Sequence, residues 1–166
     1  MGWRIQGEMP QLKKFLIILA PHTHWMDFFV ALFARTILQV PSKYAAKASL
    51  FKPPLGFIFR ALGGTPVNRT KSTNMVQAII DIYNQKEEFI LSMAPEGTRK
   101  KVDEWKTGFY HIANGAGIPI VRCVFDFENK VFKVLPPFYP TGTIEHDLPL
   151  IKKGYEGIKG KIPEYS

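Results

Sequence analysis

The chain has a single cysteine, Cys123, among 166 residues, so no disulfide within the chain is available to hold the fold. That suits a reducing compartment. Cys123 lies in the strand-like run Ile118-Pro-Ile-Val-Arg-Cys-Val-Phe-Asp126, where a small buried apolar residue is expected rather than a nucleophile. No stretch reaches the roughly 20 apolar residues that a membrane-spanning helix needs. The longest candidate, Phe28 to Val40, is broken by Arg35 and Gln39. The first apolar run is short and has no cleavage pattern, so no secretory signal peptide is expected. Any contact with lipid is therefore expected to be peripheral. There is no internal repeat or low-complexity tract. A nucleic-acid-binding module with stacking aromatics is also lacking, so nucleic acid is not an expected partner. Acidic residues are scarce, with 14 Asp and Glu against 22 Lys and Arg, a formal charge of +8. Such a balance favours anionic partners: phosphate-bearing substrates, membrane surfaces or acidic carrier proteins.

What is present describes an ordinary globular chain, with 46% hydrophobic and 22% charged residues. The length suits one domain over residues 1–166 and is too short for two full ones. Periodicity predicts strands at Lys14–Ala20, Lys43–Ala46, Thr65–Val67, Phe89–Ala94, Pro119–Phe127 and Val131–Leu135. It predicts helices at Met26–Ile37, Ser49–Leu62, Ser72–Asn84, Lys106–Gly117 and Leu148–Ile158. Glu128-Asn129-Lys130 is a plausible hairpin turn between the last two strands. Strands alternating with helices imply an α/β fold, a mixed but largely parallel sheet flanked by helices. Ligands of such sheets gather beyond the carboxyl ends of the strands.

Three motifs fall at those ends. His22 follows the first strand, and Asp27 lies five residues on, in the next helix. A neutral imidazole removes a proton from a hydroxyl near neutral pH, and a carboxylate on its Nδ1 side fixes the tautomer. The same pair also fits a helix-capping aspartate beside a loop histidine. His24 adds a rival reading, a metal-ligand cluster with His22, for which His111 and His146 lie at no ligand spacing. Gly64-Thr-Pro-Val-Asn-Arg69 is a turn and a short extended segment ending in a guanidinium fork suited to phosphate. Pro95-Glu-Gly-Thr-Arg99 is a turn in which Gly97 permits close approach, Thr98 and Arg99 suit a phosphate, and Glu96 is odd beside cations. The segment Phe51 to Leu62, with Lys52 and Arg60 among aromatics, reads equally as a core helix or as an element resting on a bilayer interface. Lysines 100, 101, 106, 152, 153, 159 and 161 read as a solvated face.

With these residues in hand, the chain resembles the glycerolipid (lysophosphatidic acid) acyltransferase family, in its small bacterial branch. His22-x4-Asp27 resembles the family's first block, Gly64–Arg69 its second, Pro95–Arg99 its third and Ile118–Val121 its fourth, in the same order. The likeness runs from about Lys14 to Tyr139, and Glu104-Trp-Lys-Thr-Gly-Phe-Tyr110 resembles the small bacterial members. Pro21 and His24 stand where the family often has Asn and Ser, Asn68 where an acidic residue is common, and Arg122 in place of a frequent Pro.

The resemblance implies acyl transfer from an acyl thioester, on coenzyme A or acyl carrier protein, to a hydroxyl of a lysophospholipid or glycerol phosphate-type acceptor. It implies His22 as general base and Asp27 as its orienting acid. Arg69, Glu96, Gly97, Thr98 and Arg99 would bind the acceptor, and Pro119 would help shape the acyl-donor side. Because a thioester is already activated, neither a metal nor a cofactor is expected beyond that co-substrate. The expected place is the cytoplasm, peripheral at the inner face of the cell membrane. Two alternatives stay open: a non-catalytic anionic-lipid-binding module of the same fold, and a metal-dependent hydrolase using His22 and His24.

Overall fold

Phe15, Ile17 and Leu16, Ile18, Ala20 point to opposite sides of one strand, and all five are buried. A strand apolar on both faces needs cover on both. The computed structural model, which describes residues 2–54, 56–67 and 72–166, supplies it. Its strands are β1 (Arg4–Gln6), β2 (Lys14–Ala20), β3 (Lys43–Lys47), β4 (Gly64–Val67), β5 (Phe89–Met93), β6 (Ile120–Asp126) and β7 (Val131–Val134). Its helices are α1 (Met26–Ile37), α2 (Gly56–Ala61), α3 (Ser72–Gln85), α4 (Gly108–Ala116) and α5 (Ile144–Lys153). The strands form one sheet in the order β1-β7-β6-β2-β5-β3-β4. From β6 to β4 the neighbours run parallel. β7 is antiparallel to β6, the expected hairpin, with Lys130 at positive φ in its turn. The sheet is thus mixed and largely parallel.

The two faces carry separate cores. Leu16, Ile18 and Ala20 pack with Ile79 and Tyr83 of α3, Phe109, Ile112 and Ala113 of α4, and Ile151 of α5. Phe15 and Ile17 pack with Ala34 of α1 and with Val121, Cys123 and Phe125 of β6. Burial pushes the Cys123 thiol far up from its ordinary value, which suits a packing role and not a thiolate.

Three elements differ from the sequence expectation. The helix expected over Ser49–Leu62 is a 3-10 turn at Ala48–Phe51 and a short α2, separated by Pro53-Pro54. Prolines lack the N–H a helix needs and disfavour helical backbone in the residue before them. The chain re-enters helix at Gly56, whose N–H bonds the Lys52 carbonyl at 3.0 Å. β1, which was not expected, is only three residues long and pairs parallel to β7 at the edge. The last helix starts at Ile144 and ends at Lys153, earlier than expected at both ends.

Asp147 explains that early start. It lies in the first turn of α5, fully buried, and accepts from the Tyr110 hydroxyl (2.8 Å), the Thr141 N–H (2.6 Å) and the Thr141 hydroxyl (2.9 Å). A carboxylate there also suits the positive end of the helix dipole. Burial works to raise its pKa from 3.8, but the donors from Thr141, His146 and Tyr110 outweigh burial and hold it at about 2. A carboxyl lowered in the folded state contributes stability above its unfolded pKa and loses it as pH falls through the folded value. Asp147→Asn is therefore expected to cost about 2–3 kcal/mol at neutral pH. It should also flatten the loss of stability that the wild type shows between pH 4 and pH 2, both read by urea unfolding.

Candidate active site

The loop between β2 and α1 is built around one carboxylate. Asp27, fully buried, places Oδ2 at 2.8 Å from the Thr23 N–H and at 2.8 Å from the His24 N–H. The same Oδ2 lies 3.0 Å from His22 Nδ1. Asp27 thus holds the loop and lies against the imidazole at once; α1 itself has no side-chain cap, so the carboxylate ties the preceding loop rather than capping the helix. In the neutral ring, a carboxylate on Nδ1 makes that nitrogen the donor and leaves the Nε2 lone pair free. The His22 side chain is 23% exposed.

The third motif closes on the same loop. Glu96 Oε2 accepts the His22 backbone N–H at 2.7 Å, across 74 residues of chain. This carboxyl is turned to the amide of His22, while Arg99 and Thr98 beside it are exposed. Burial raises the Glu96 pKa from 4.5 to about 7; the His22 N–H opposes the rise, and the Asp27 charge adds to it. Gly97 has φ +67, and a Cβ there would meet Lys106 Cδ at 3.0 Å. That left-handed backbone favours glycine. Lys106 N–H is also bonded to the Pro95 carbonyl at 2.9 Å, so Lys106 is a neighbour of the motif, although its sequence suggested only a solvated face.

His22 and Asp27 border a cavity of about 910 Å³. Part of its lining, Ile17, Leu19, Phe28, Cys123, Phe125 and Phe132, is apolar and lies on the α1 side of the sheet. Elsewhere the lining includes Gly97, Thr98, Arg99, Lys100 and Lys106. The site lies beyond the carboxyl ends of β2 and β5, where parallel sheets place their ligands.

Not every expected residue is brought there. Arg69 lies outside the described residues, as does Asn68. Pro119 is buried just before β6, with its carbonyl accepting the Leu16 N–H at 3.0 Å. That is the end of β6 away from His22, and Pro119 is not among the residues lining the cavity. His24 turns its Nδ1 to the Met26 N–H at 3.3 Å, and no group of three potential metal ligands occurs among the described residues.

One support escaped the sequence reading. The C-terminal segment crosses the back of the loop, where the Ile162 N–H bonds Thr23 Oγ1 at 3.1 Å. Gly160 lies so close that a Cβ there would sit 2.5 Å from the same oxygen. No local pattern signals a contact over 139 residues.

A raised carboxyl binds its proton more tightly folded than unfolded, so stability falls as pH rises from 4.5 through about 7. Glu96→Gln keeps an acceptor for the His22 N–H without the charge. It should gain about 1–3 kcal/mol over wild type at pH 8 and little at pH 4, measured by urea unfolding at both values. Equal pH dependence in both proteins would contradict the assignment.

Comparison with known proteins points to one family. The family model described as "Acyltransferase" matches residues 3–126. The 1-acyl-sn-glycerol-3-phosphate acyltransferase of Salmonella typhimurium is 32% identical over 123 residues, covering 69% of this chain and 49% of the relative. The Escherichia coli enzyme of the same name is 31% identical over 122 residues, with the same coverage. The chain spans about half the length of these curated relatives. The crystal structure of the lysophosphatidic acid acyltransferase PlsC from Thermotoga maritima matches with a TM-score of 0.60 at 21% identity, covering 92% of this chain and 70% of that one. That likeness supports the fold.

Proposed function

The chain belongs to the acyltransferase family, and on that premise we propose that it moves a fatty acyl group from a thioester to the hydroxyl of a lysophospholipid or glycerol phosphate-type acceptor. The carrying observation is the His22–Asp27 pair, 3.0 Å apart, bordering a cavity whose lining is apolar in part and cationic in part. The acyl chain takes the apolar part of the cavity. Arg99, with Arg69, Gly97 and Thr98, seats the acceptor phosphate, and Glu96 ties that seat to His22.

In the proposed reaction, His22 Nε2 takes the acceptor's hydroxyl proton as its oxygen attacks the thioester carbonyl carbon. Asp27 stabilises the imidazolium so formed. The tetrahedral intermediate collapses with cleavage of the C–S bond, and the leaving sulfur receives the proton from His22. The products are an ester and a free thiol, with acyl-CoA or acyl carrier protein as co-substrate. No helix among the described residues is long and apolar enough to cross a membrane. We place the reaction at the inner face of the cytoplasmic membrane, with the protein bound peripherally. The names of the relatives support the acceptor class.

Thiol release from acyl-CoA or acyl carrier protein in the presence of lyso-lipid acceptors tests the proposal. His22→Ala is expected to lower turnover by about 10²–10⁴-fold while the protein stays folded by circular dichroism. Near-normal turnover in the folded variant would sink the base assignment. Binding of lyso-lipid by wild type without any thiol release would leave only the non-catalytic binding module.

A further inference from the structure

Six of the ten exposed large apolar residues among those described fall at α1 and α2. Trp25, Phe29, Phe33 and Ile37 follow one another at four-residue steps along α1, and are 55%, 46%, 52% and 69% exposed. That spacing places them on one face of the helix. Ala34, on the other side, is buried against the sheet. α2 lies alongside, since the Phe28 ring of α1 is 6.2 Å from Phe59 and Arg35 donates to the Leu62 carbonyl at 2.6 Å. From α2 come two further apolar side chains, Phe57 (70% exposed) and Ile58 (40%).

Charge marks the same part of the chain. From Phe28 to Ile80 there are seven Lys and Arg and no Asp or Glu. The rest of the chain holds 15 cations and 14 anions, so this stretch carries seven of the eight net positive charges. Lys52 and Arg60, both exposed, flank the apolar residues of α2. Large apolar side chains with cations beside them and no anions match an interface of acyl chains and lipid phosphates. A protein partner of matching shape would place no such demand on the charge of the whole stretch.

The face is also continuous with the cavity, because Trp25 and Phe29 belong to both. We propose that the outer faces of α1 and α2 form the surface by which the protein docks on an anionic bilayer, so that the cavity opens towards the lipid. This rests on the proposed function for the choice of lipid as partner, but its test requires no turnover.

The test uses the full chain and two kinds of vesicle: phosphatidylcholine alone, and phosphatidylcholine with phosphatidylglycerol at about 3:1. Wild type should sediment with the anionic vesicles, weakly with the neutral ones, and less as salt rises. Its tryptophan emission should shift to the blue on binding, and Trp25→Phe should remove the shift. The triple variant Phe33→Ser, Phe57→Ser, Ile37→Ser changes no residue that lines the cavity, and should lose about tenfold or more in vesicle affinity. Lys52→Glu with Arg60→Glu should lose affinity for the anionic vesicles alone. If the triple variant does not fold, Ile37→Ser alone should weaken binding in the same direction. Thiol release from acyl-CoA with a monomeric short-chain lyso-lipid separates the two ideas, since the triple variant should match wild type there. Vesicle binding that the triple variant leaves unchanged would overturn the docking face. So would sedimentation equilibrium showing that these residues only join two copies of the chain.

Discussion

A single carboxylate oxygen, Oδ2 of Asp27, organises the centre of this molecule. It gathers the N–H groups of Thr23 and His24 and the imidazole of His22 within 3.0 Å. A buried charge is costly unless donors surround it, and here the donors come from the loop that must be held still. The requirement that satisfies Oδ2 is thus the one that aims the histidine. Glu96 extends the constraint from β5, and Ile162 extends it from the far end of the chain through Thr23.

The sheet places this loop. A central strand buried on both faces demands α1 on one side and α3, α4 and α5 on the other. The parallel run of β6, β2, β5, β3 and β4 then brings the strand ends that carry His22 and Glu96 to one edge. Asp27, Phe28, Ala31 and Leu32 of α1 line the cavity together with His22, so the helix that supplies Asp27 also walls the space that the imidazole borders. α1 therefore serves three surfaces: its buried side the core, its first turn the site, and its outer side a row of exposed aromatics.

Strong periodicity made much of this legible. β2 and α1 run over the residues that pattern alone predicts, Lys14–Ala20 and Met26–Ile37. The link between His22 and Asp27 was visible because the two are five residues apart across a strand-to-helix turn. Glu96 was conspicuous as an acid among cations, but its partner was not, since a side chain reaching a backbone amide 74 residues away leaves no local trace. The expected helix over Ser49–Leu62 failed at Pro53-Pro54, where missing N–H groups outweigh an aromatic-rich pattern. β1 was too short to show alternation. Pro119 was assigned a role through family likeness, and its place at the opposite end of β6 follows from register, which motif spacing does not encode.

The state of the His22 ring tests the account most directly. Nitrogen-15 NMR of the imidazole at neutral to mildly alkaline pH should find the proton on Nδ1, with Nε2 free, and a downfield Nδ1–H signal that disappears in Asp27→Asn. A ring protonated on Nε2, or one whose signals ignore the loss of the Asp27 carboxylate, would contradict it.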